Sequence, residues 1–144
     1  MRLALLLLAL IQIAACNPGA SEISNEIARQ FESSGRKSVT LSKAVPGTWE
    51  RVCILGPYSD NKAAKNMLGF EWNAEIRTSI SSNDGISLLL FVKGKEVLDY
   101  VAHARNNGDF SNLSGKCFSR EKATFVQDPA PINGWPGLFN KNEA

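Results

Sequence analysis

Residues 86–92 (ISLLLFV) are the segment of this chain that decides its fold. They are almost wholly apolar and lie between two turn-forming stretches, 81–85 (SSNDG) and 93–95 (KGK). A short apolar run between turns predicts a strand that is buried on both faces. The β-branched and aromatic residues in 96–103 predict a second strand directly after the second turn. We therefore predict a β-hairpin, with 86–92 in the sheet interior and paired on both sides.

A helix is predicted over 21–34, on the N-terminal side of this hairpin. Ser21 suits the N-cap, because its hydroxyl can accept a hydrogen bond from the first turn. The apolar residues Ile23, Ile27 and Phe31 recur every four positions and form one narrow stripe. This spacing predicts a helix that packs its apolar side on the core.

A second short helix is predicted over 61–68. Either Ser59 or Asp60 suits its N-cap, and Gly69 suits its left-handed end. The remaining strands are predicted from short apolar or alternating segments between turns, at 39–41, 49–55, 72–80 and 123–127.

The length and composition of the chain suit one small globular domain. It has 144 residues, of which 44% are apolar and 21% charged. Several antiparallel strands with two short helices predict an α+β domain, built on one mainly antiparallel sheet that is covered on one face. The formal net charge is only +2, from 16 Lys and Arg against 14 Asp and Glu, and does not favour a nucleic-acid partner.

Residues 1–16 (MRLALLLLALIQIAAC) have the pattern of a secretion signal. One basic residue precedes an apolar stretch that is too short to span a bilayer. The sequence Ile13-Ala14-Ala15-Cys16 resembles the lipobox of bacterial lipoprotein precursors. This resemblance implies that a diacylglycerol is attached to the Cys16 thiol and that signal peptidase II cleaves before Cys16. An ordinary signal peptide, cleaved after Ala15 or later, is the alternative.

The resemblance implies a membrane partner and a location in the bacterial cell envelope. Two or three acyl chains hold a protein firmly on a membrane, whereas one chain gives marginal binding. Asn17 stands where an Asp commonly retains Gram-negative lipoproteins in the inner membrane, so the outer membrane, facing the periplasm, is favoured. The chain then divides into a signal peptide (1–15), a lipidated tether (16–20), a globular domain (21–127) and a C-terminal tail rich in Pro and Gly (128–144).

Cys53 and Cys117 remain as an even pair once Cys16 is assigned to the anchor. An even number of cysteines in an oxidising compartment predicts a disulfide bond. This bond would join the strand at 49–55 to the segment that follows the hairpin. Two free thiols are the alternative.

The sequence offers few residues for a catalytic or metal site. His103 is the single histidine, and neither a zinc-binding HExxH nor a phosphate-binding glycine motif occurs, so no metal or cofactor is expected. Asp99 precedes His103 by four positions, which places both side chains on one face of a strand. This pair can be interpreted as a carboxylate that orients a catalytic imidazole or as a structural pair.

Two polar loops, 56–61 and 105–110, are the candidate binding segments. Loops that mix aromatic residues with Asn, Asp and Arg can bind a protein or a glycan, and plain turns are the alternative. The candidate binding residues are Tyr58, Asp60, Asn61, Arg105, Asn107 and Asp109. Core positions are expected for all three tryptophans, Trp49, Trp72 and Trp135.

These observations favour a lipid-anchored envelope protein with a non-enzymatic binding or structural domain. An inhibitor or immunity-type protein that inserts a loop into an enzyme is the more specific form of this hypothesis. The expected partner is an envelope protein or glycan. A small envelope hydrolase that uses His103 and Asp99 is the alternative, and it requires both side chains to line an open pocket.

Overall fold

A computed structural model describes residues 19–143 of the chain. The predicted signal peptide and Cys16 lie outside these residues. The α-helices are α1 (Gly19–Ser33), α2 (Leu41–Ala44), α3 (Asn61–Leu68) and α4 (Ala74–Arg77). The strands are β1 (Ser38–Thr40), β2 (Arg51–Leu55), β3 (Ile86–Lys93), β4 (Glu96–Ala104), β5 (Lys116–Ser119), β6 (Thr124–Asp128) and β7 (Gly137–Asn140).

The larger sheet is antiparallel and has the strand order β4-β3-β2-β5. The predicted hairpin is confirmed as β3 and β4, and β3 is paired on both sides. Leu89, for example, lies opposite Ile54 on β2 and opposite Val101 on β4. A bulge interrupts the β3–β4 register after Phe91, and Leu98 is the extra residue.

Both faces of the larger sheet are buried at its centre. Leu89 and Phe91 belong to a core that also contains the apolar stripe of α1. Leu88 and Leu90 belong to a second core that α3 and the following segment cover. The predicted α+β class and the antiparallel pairing are confirmed. The prediction of a single sheet covered on one face is wrong, because there are two sheets and the larger one is covered on both faces.

A smaller antiparallel sheet, with the order β1-β6-β7, forms a second layer on the side of the larger sheet that α1 covers. Its buried Phe125 makes edge-to-face contacts with Phe110 and Phe118, at ring-centroid distances of 5.5 Å and 5.2 Å. Strand β7, at the edge of this smaller sheet, lies within residues 128–144, which the sequence predicts to be a C-terminal tail. Its Leu138 is fully buried and pairs with Gln127. This part of the segment therefore contributes to the fold.

The two predicted helices are confirmed, as α1 and α3. Helix α1 begins at Gly19, before the predicted Ser21 cap, and the stripe residues Ile23, Ile27 and Phe31 are all buried. Helix α3 has the predicted bounds. The Asp60 carboxylate accepts a hydrogen bond from the Ala63 amide at 2.8 Å, as an N-cap residue does.

The predicted strand at 72–80 is wrong, because a short helix, α4, occupies the middle of this segment. The side chain of Asn73 accepts a hydrogen bond from the Ile76 amide at 2.9 Å and so begins the helix. Trp72 packs its ring edge-to-face on Tyr100, at 5.2 Å between centroids. Ile80 is fully buried, so this segment covers the larger sheet without joining it.

The Cys53–Cys117 disulfide is confirmed. The two residues lie directly opposite each other on β2 and β5, with 4.0 Å between their Cα atoms. Cys53 is fully buried, whereas Cys117 is exposed at the sheet edge. Among the helices within residues 19–143, none has the length and apolar character that a membrane span requires.

Candidate functional site

His103 is fully buried on β4, and both of its ring nitrogens make hydrogen bonds. Nε2 lies 3.2 Å from the Asn107 carbonyl oxygen, and Nδ1 lies 2.9 Å from Ser24 Oγ on α1. Because a carbonyl oxygen can only accept, Nε2 carries a proton. In the neutral ring, which burial favours, Nδ1 then accepts from the Ser24 hydroxyl. The ring also packs edge-to-face on Phe110. This neutral imidazole joins α1, β4 and the loop after β4.

Asp99 and His103 lie on the same strand face, as predicted, but they are not brought together as a pair. Buried Val101 lies between them, and the His103 nitrogens are occupied by other partners. An Asp99 carboxylate oxygen accepts from the Tyr100 amide at 3.1 Å. Asp99 lines a shallow cleft with Glu22 and Glu26, whereas His103 lines none of the clefts described below. The geometry therefore gives no support to the hydrolase hypothesis.

The stability of the domain should depend on the protonation of His103. Burial lowers the pKa of the imidazole below its usual value, and the hydrogen bond to the Asn107 carbonyl opposes this only in part. Between the lowered pKa and the unfolded value of about 6.5, the unfolded chain binds more protons, so stability decreases as the pH falls through this range. We expect the free energy of unfolding to fall from pH 7 to pH 5 more steeply for the natural chain than for His103→Gln. Parallel curves in denaturant titrations would contradict this role.

The first predicted binding loop mainly supports the helices that follow it. Asp60 caps α3, and the Asn61 side chain accepts from the Glu75 amide at 3.1 Å. Only Tyr58 of the three candidate residues presents a largely free side chain, with 65% of its surface exposed. Its backbone φ of 63° is unusual for a residue with a side chain. The Tyr58 amide donates to the Ile80 carbonyl at 2.8 Å, which fixes this turn.

The second predicted binding loop is held by an internal ion pair. The Arg105 guanidinium donates to the Asp109 carboxylate at 2.8 Å and to the Asp84 carbonyl at 2.8 Å. Burial raises the pKa of Asp109, but the hydrogen bonds from Arg105 and Ser111 lower it more, so the net pKa lies below the usual range. The Asn107 carbonyl contacts His103, as described above. The Arg105 and Asp109 side chains thus bind each other, and the Asn107 backbone is held at His103, so all three residues stabilise the loop.

Both predicted loops nevertheless meet at one open cleft of about 460 Å3. Gly56 and Pro57 contribute from the first loop, and Arg105 contributes from the second. Trp135 lines the same cleft, and 71% of its surface is exposed. The expected core positions are thus confirmed for Trp49, which is 3% exposed, and wrong for Trp135.

Trp135 belongs to residues 129–136, here called the Trp135 loop, which joins β6 to β7. The Asn112 side chain holds this loop: its Nδ2 donates to the Trp135 carbonyl at 2.6 Å, and its Oδ1 accepts from the Trp135 amide at 2.8 Å. Gly134 has a φ of 92°, and a Cβ atom at this position would lie 2.7 Å from Asn112 Oδ1. Only glycine fits so close to the Asn112 amide. The backbone that carries the indole is therefore fixed.

Ile132 is the second exposed apolar residue of the Trp135 loop, at 99% exposure. It lines a separate cleft of about 590 Å3 together with Leu113, Val126 and Phe139. Asn112 lines this cleft as well and so lies next to both exposed residues. The sequence analysis did not predict this exposed surface. The signal for it is the position of Trp135 between Gly134 and Pro136, in a segment without strand-like alternation.

The described residues give no sign of a metal centre. Within 19–143, no three side chains of His, Cys, Asp or Glu are grouped so that they could hold a metal ion. Comparisons of the chain with protein-family models, with curated proteins and with solved structures give no match. The N-terminal sequence and the surface around Trp135 are the features of this chain that bear on its function.

Proposed function

We propose that this chain is a bacterial envelope lipoprotein whose globular domain binds another envelope component without catalysing a reaction. In this proposal, acylated Cys16 anchors the protein in the outer membrane, and the domain faces the periplasm. The observation that carries the binding function is the solvent-exposed indole of Trp135, whose backbone is held by two hydrogen bonds with Asn112.

Two features support the location. Residues 13–16 (IAAC) match a lipobox after an apolar segment of signal-peptide length. The Cys53–Cys117 disulfide suits an oxidising compartment such as the periplasm, because cytosolic thiols are kept reduced. Both features are consistent with export of the chain from the cytosol.

The exposed residues of the Trp135 loop support a binding function. A large apolar side chain that is exposed on a rigid backbone loses little conformational entropy when a partner covers it. Tryptophan is also the residue type that is most enriched among the residues that dominate protein interfaces. The loop contains Pro129, Pro131 and Pro136, which restrict its backbone further. An inhibitor or immunity-type protein, which blocks an enzyme by loop insertion, is one specific form of this function, and a glycan-binding protein is the other.

The lipid anchor is tested by metabolic labelling with an alkyne analogue of palmitate. We expect the natural chain to be labelled and Cys16→Ser to lose the label, because the serine hydroxyl does not replace the thiol as acceptor of the diacylglycerol. Asn17→Ser is the matched control and should keep the label and the processed size. Undiminished labelling of Cys16→Ser would place the lipid elsewhere and contradict the proposed anchor.

A further inference from the structure

We infer that the cleft where the two loops meet, here called the Trp135 cleft, binds a neutral sugar unit of an envelope glycan. This inference rests on the proposed function and specifies the ligand class of the domain. The cleft is open and has a volume of about 460 Å3, which is within the range of small-ligand sites. Its lining combines one large aromatic ring with hydroxyl and guanidinium groups, and a sugar ring needs both kinds of contact.

Trp135 supplies the apolar surface of this cleft. Its side chain is largely exposed, and Asn112 holds its backbone on both sides. The face of an aromatic ring carries a partial negative charge, whereas the C–H groups on one face of a sugar ring carry a partial positive charge. A sugar ring therefore stacks favourably on the indole. The indole N–H has no acceptor among residues 19–143, so it can also donate to a sugar oxygen.

Ser111 is the residue that points to a polar ligand. It lines the Trp135 cleft, and its hydroxyl is buried without a hydrogen-bond partner in the described chain. An unpaired buried hydroxyl is unfavourable, because it has lost its hydrogen bonds to water. Rotation about the Cα–Cβ bond gives this hydroxyl other staggered positions, and a sugar hydroxyl in the cleft supplies the missing partner.

Two further polar groups that line the cleft keep unused donors. The Ser114 hydroxyl accepts from the Gly56 amide at 2.8 Å and retains its own proton for a ligand oxygen. The Arg105 guanidinium donates from Nε and one terminal nitrogen to Asp109, and from the other terminal nitrogen to the Asp84 carbonyl. Each terminal nitrogen therefore keeps a second N–H. Sugar hydroxyls can accept from all of these groups.

The charges near the cleft favour a neutral sugar. The positive charge of Arg105 is balanced by Asp109 at 2.8 Å. Asp128 lines the neighbouring cleft and has no ion-pair partner in the described chain, so it leaves a negative charge beside the Trp135 loop. This carboxylate disfavours a glycan that carries phosphate or carboxylate groups, because like charges repel.

The same surface suits a protein partner less well. Ile132 and Trp135 line separate clefts, so their exposed apolar surfaces do not form one continuous patch. The centre of a protein interface is a closely packed apolar area, and polar groups left unpaired there are costly. One exposed ring above polar groups with unused hydrogen-bonding capacity instead suits a small polar ligand.

The test is isothermal titration of the full-length chain in detergent micelles with neutral tetrasaccharides of glucose, galactose, mannose and N-acetylglucosamine. We expect saturable binding of at least one of them at concentrations up to about 10 mM. Trp135→Ala should weaken this binding at least about tenfold, because it removes the stacking surface. Ile132→Ala, in the neighbouring cleft, is the matched control and should bind as the natural chain does. Tetragalacturonate should bind more weakly than the best neutral sugar.

Ser111→Ala tests the polar part of the cleft. It should weaken sugar binding about threefold or more, while the melting temperature stays the same or rises, because the variant removes an unpaired buried hydroxyl. Ser87→Ala is the matched control: the Ser87 hydroxyl is also buried without a partner in the described chain, but Ser87 lines none of the three clefts. It should leave binding unchanged. Unchanged binding by Ser111→Ala, or weaker binding together with a lower melting temperature, would overturn the role of this hydroxyl.

The sugar site and the proposed function fail in different ways. Absence of saturable binding by every neutral tetrasaccharide, equal binding by Trp135→Ala and the natural chain, or tighter binding of tetragalacturonate would overturn the sugar site. If the chain binds no sugar but captures a protein from an envelope extract, and Trp135→Ala does not, the sugar site is wrong and the binding function stands. If the chain binds no sugar and captures no component at all, both are wrong.

Discussion

Leu89→Ala is expected to lower the free energy of unfolding by about 2–5 kcal/mol. Leu89 is fully buried on β3 and contributes to the core between the larger sheet and α1. The substitution removes buried apolar surface and leaves a cavity, since β2 and β4 hold β3 on both sides and prevent it from closing the gap. A domain of this size is held by roughly 5–15 kcal/mol, so the variant should also be scarce in cells.

A denaturant titration checks this expectation. Leu90→Ala should cost a similar amount, because Leu90 is buried in the second core on the opposite face of β3. Lys95→Ala, at the exposed turn of the hairpin, is the control and should change stability by less than about 0.5 kcal/mol. If Lys95→Ala cost more than the two leucine variants, the central position of β3 would be wrong.

Removal of the disulfide is the second change with a large expected effect. Cys53 and Cys117 are 64 positions apart, and opening a loop of this length should lower stability by about 4 kcal/mol in the chain-entropy model. We expect the double variant Cys53→Ala/Cys117→Ala to unfold about 10 °C lower or more while it keeps its secondary structure. Strand β5 is short and lies at the sheet edge, so it should fray first.

Thermal unfolding followed by circular dichroism, with and without reductant, measures this effect. Reductant should lower the melting temperature of the natural chain towards that of the double variant and leave the double variant unchanged. A natural chain with two alkylatable thiols before reduction would contradict the bond. Equal melting temperatures for all samples would instead show that the disulfide contributes little stability.

The parts of the fold that local signals determine were predictable from the sequence. The apolar run within β3 and the turn after it specify the hairpin, because few other arrangements bury so many adjacent apolar residues. Asp60 and Gly69 specify both ends of α3 through their own backbone preferences. Such features need no knowledge of distant residues.

Features that depend on distant partners were not predictable in the same way. The segment 72–80 has strand-like apolar positions, but Trp72 packs on the distant Tyr100 and Ile80 is fully buried, so the segment covers the larger sheet without joining it. Strand β7 contains Leu138 and Phe139 in a segment rich in Pro and Gly, and only pairing with β6 identifies it as a strand. The second sheet follows from this pairing.

The candidate site illustrates the same difference. The sequence identified the two loops that meet at the cleft, yet their polar residues mostly support the fold. Arg105 and Asp109 bind each other, and Asp60 caps a helix. Trp135 presents a free surface at this cleft, and Asn112, which is distant in the sequence, binds its backbone. A composition rule for loops does not reveal which side chains are already paired.

The measurement that tests the central claim most directly is the affinity of the lipidated chain for the component that it captures from an envelope extract. Isothermal titration in detergent micelles compares the natural chain with Trp135→Ala and with Ile76→Ala as the matched control. We predict that Trp135→Ala weakens binding by about 30-fold or more, as loss of a dominant interface residue does. Ile76→Ala should bind as the natural chain does. Equal affinities for Trp135→Ala and the natural chain would contradict the claim that this domain functions through the Trp135 loop.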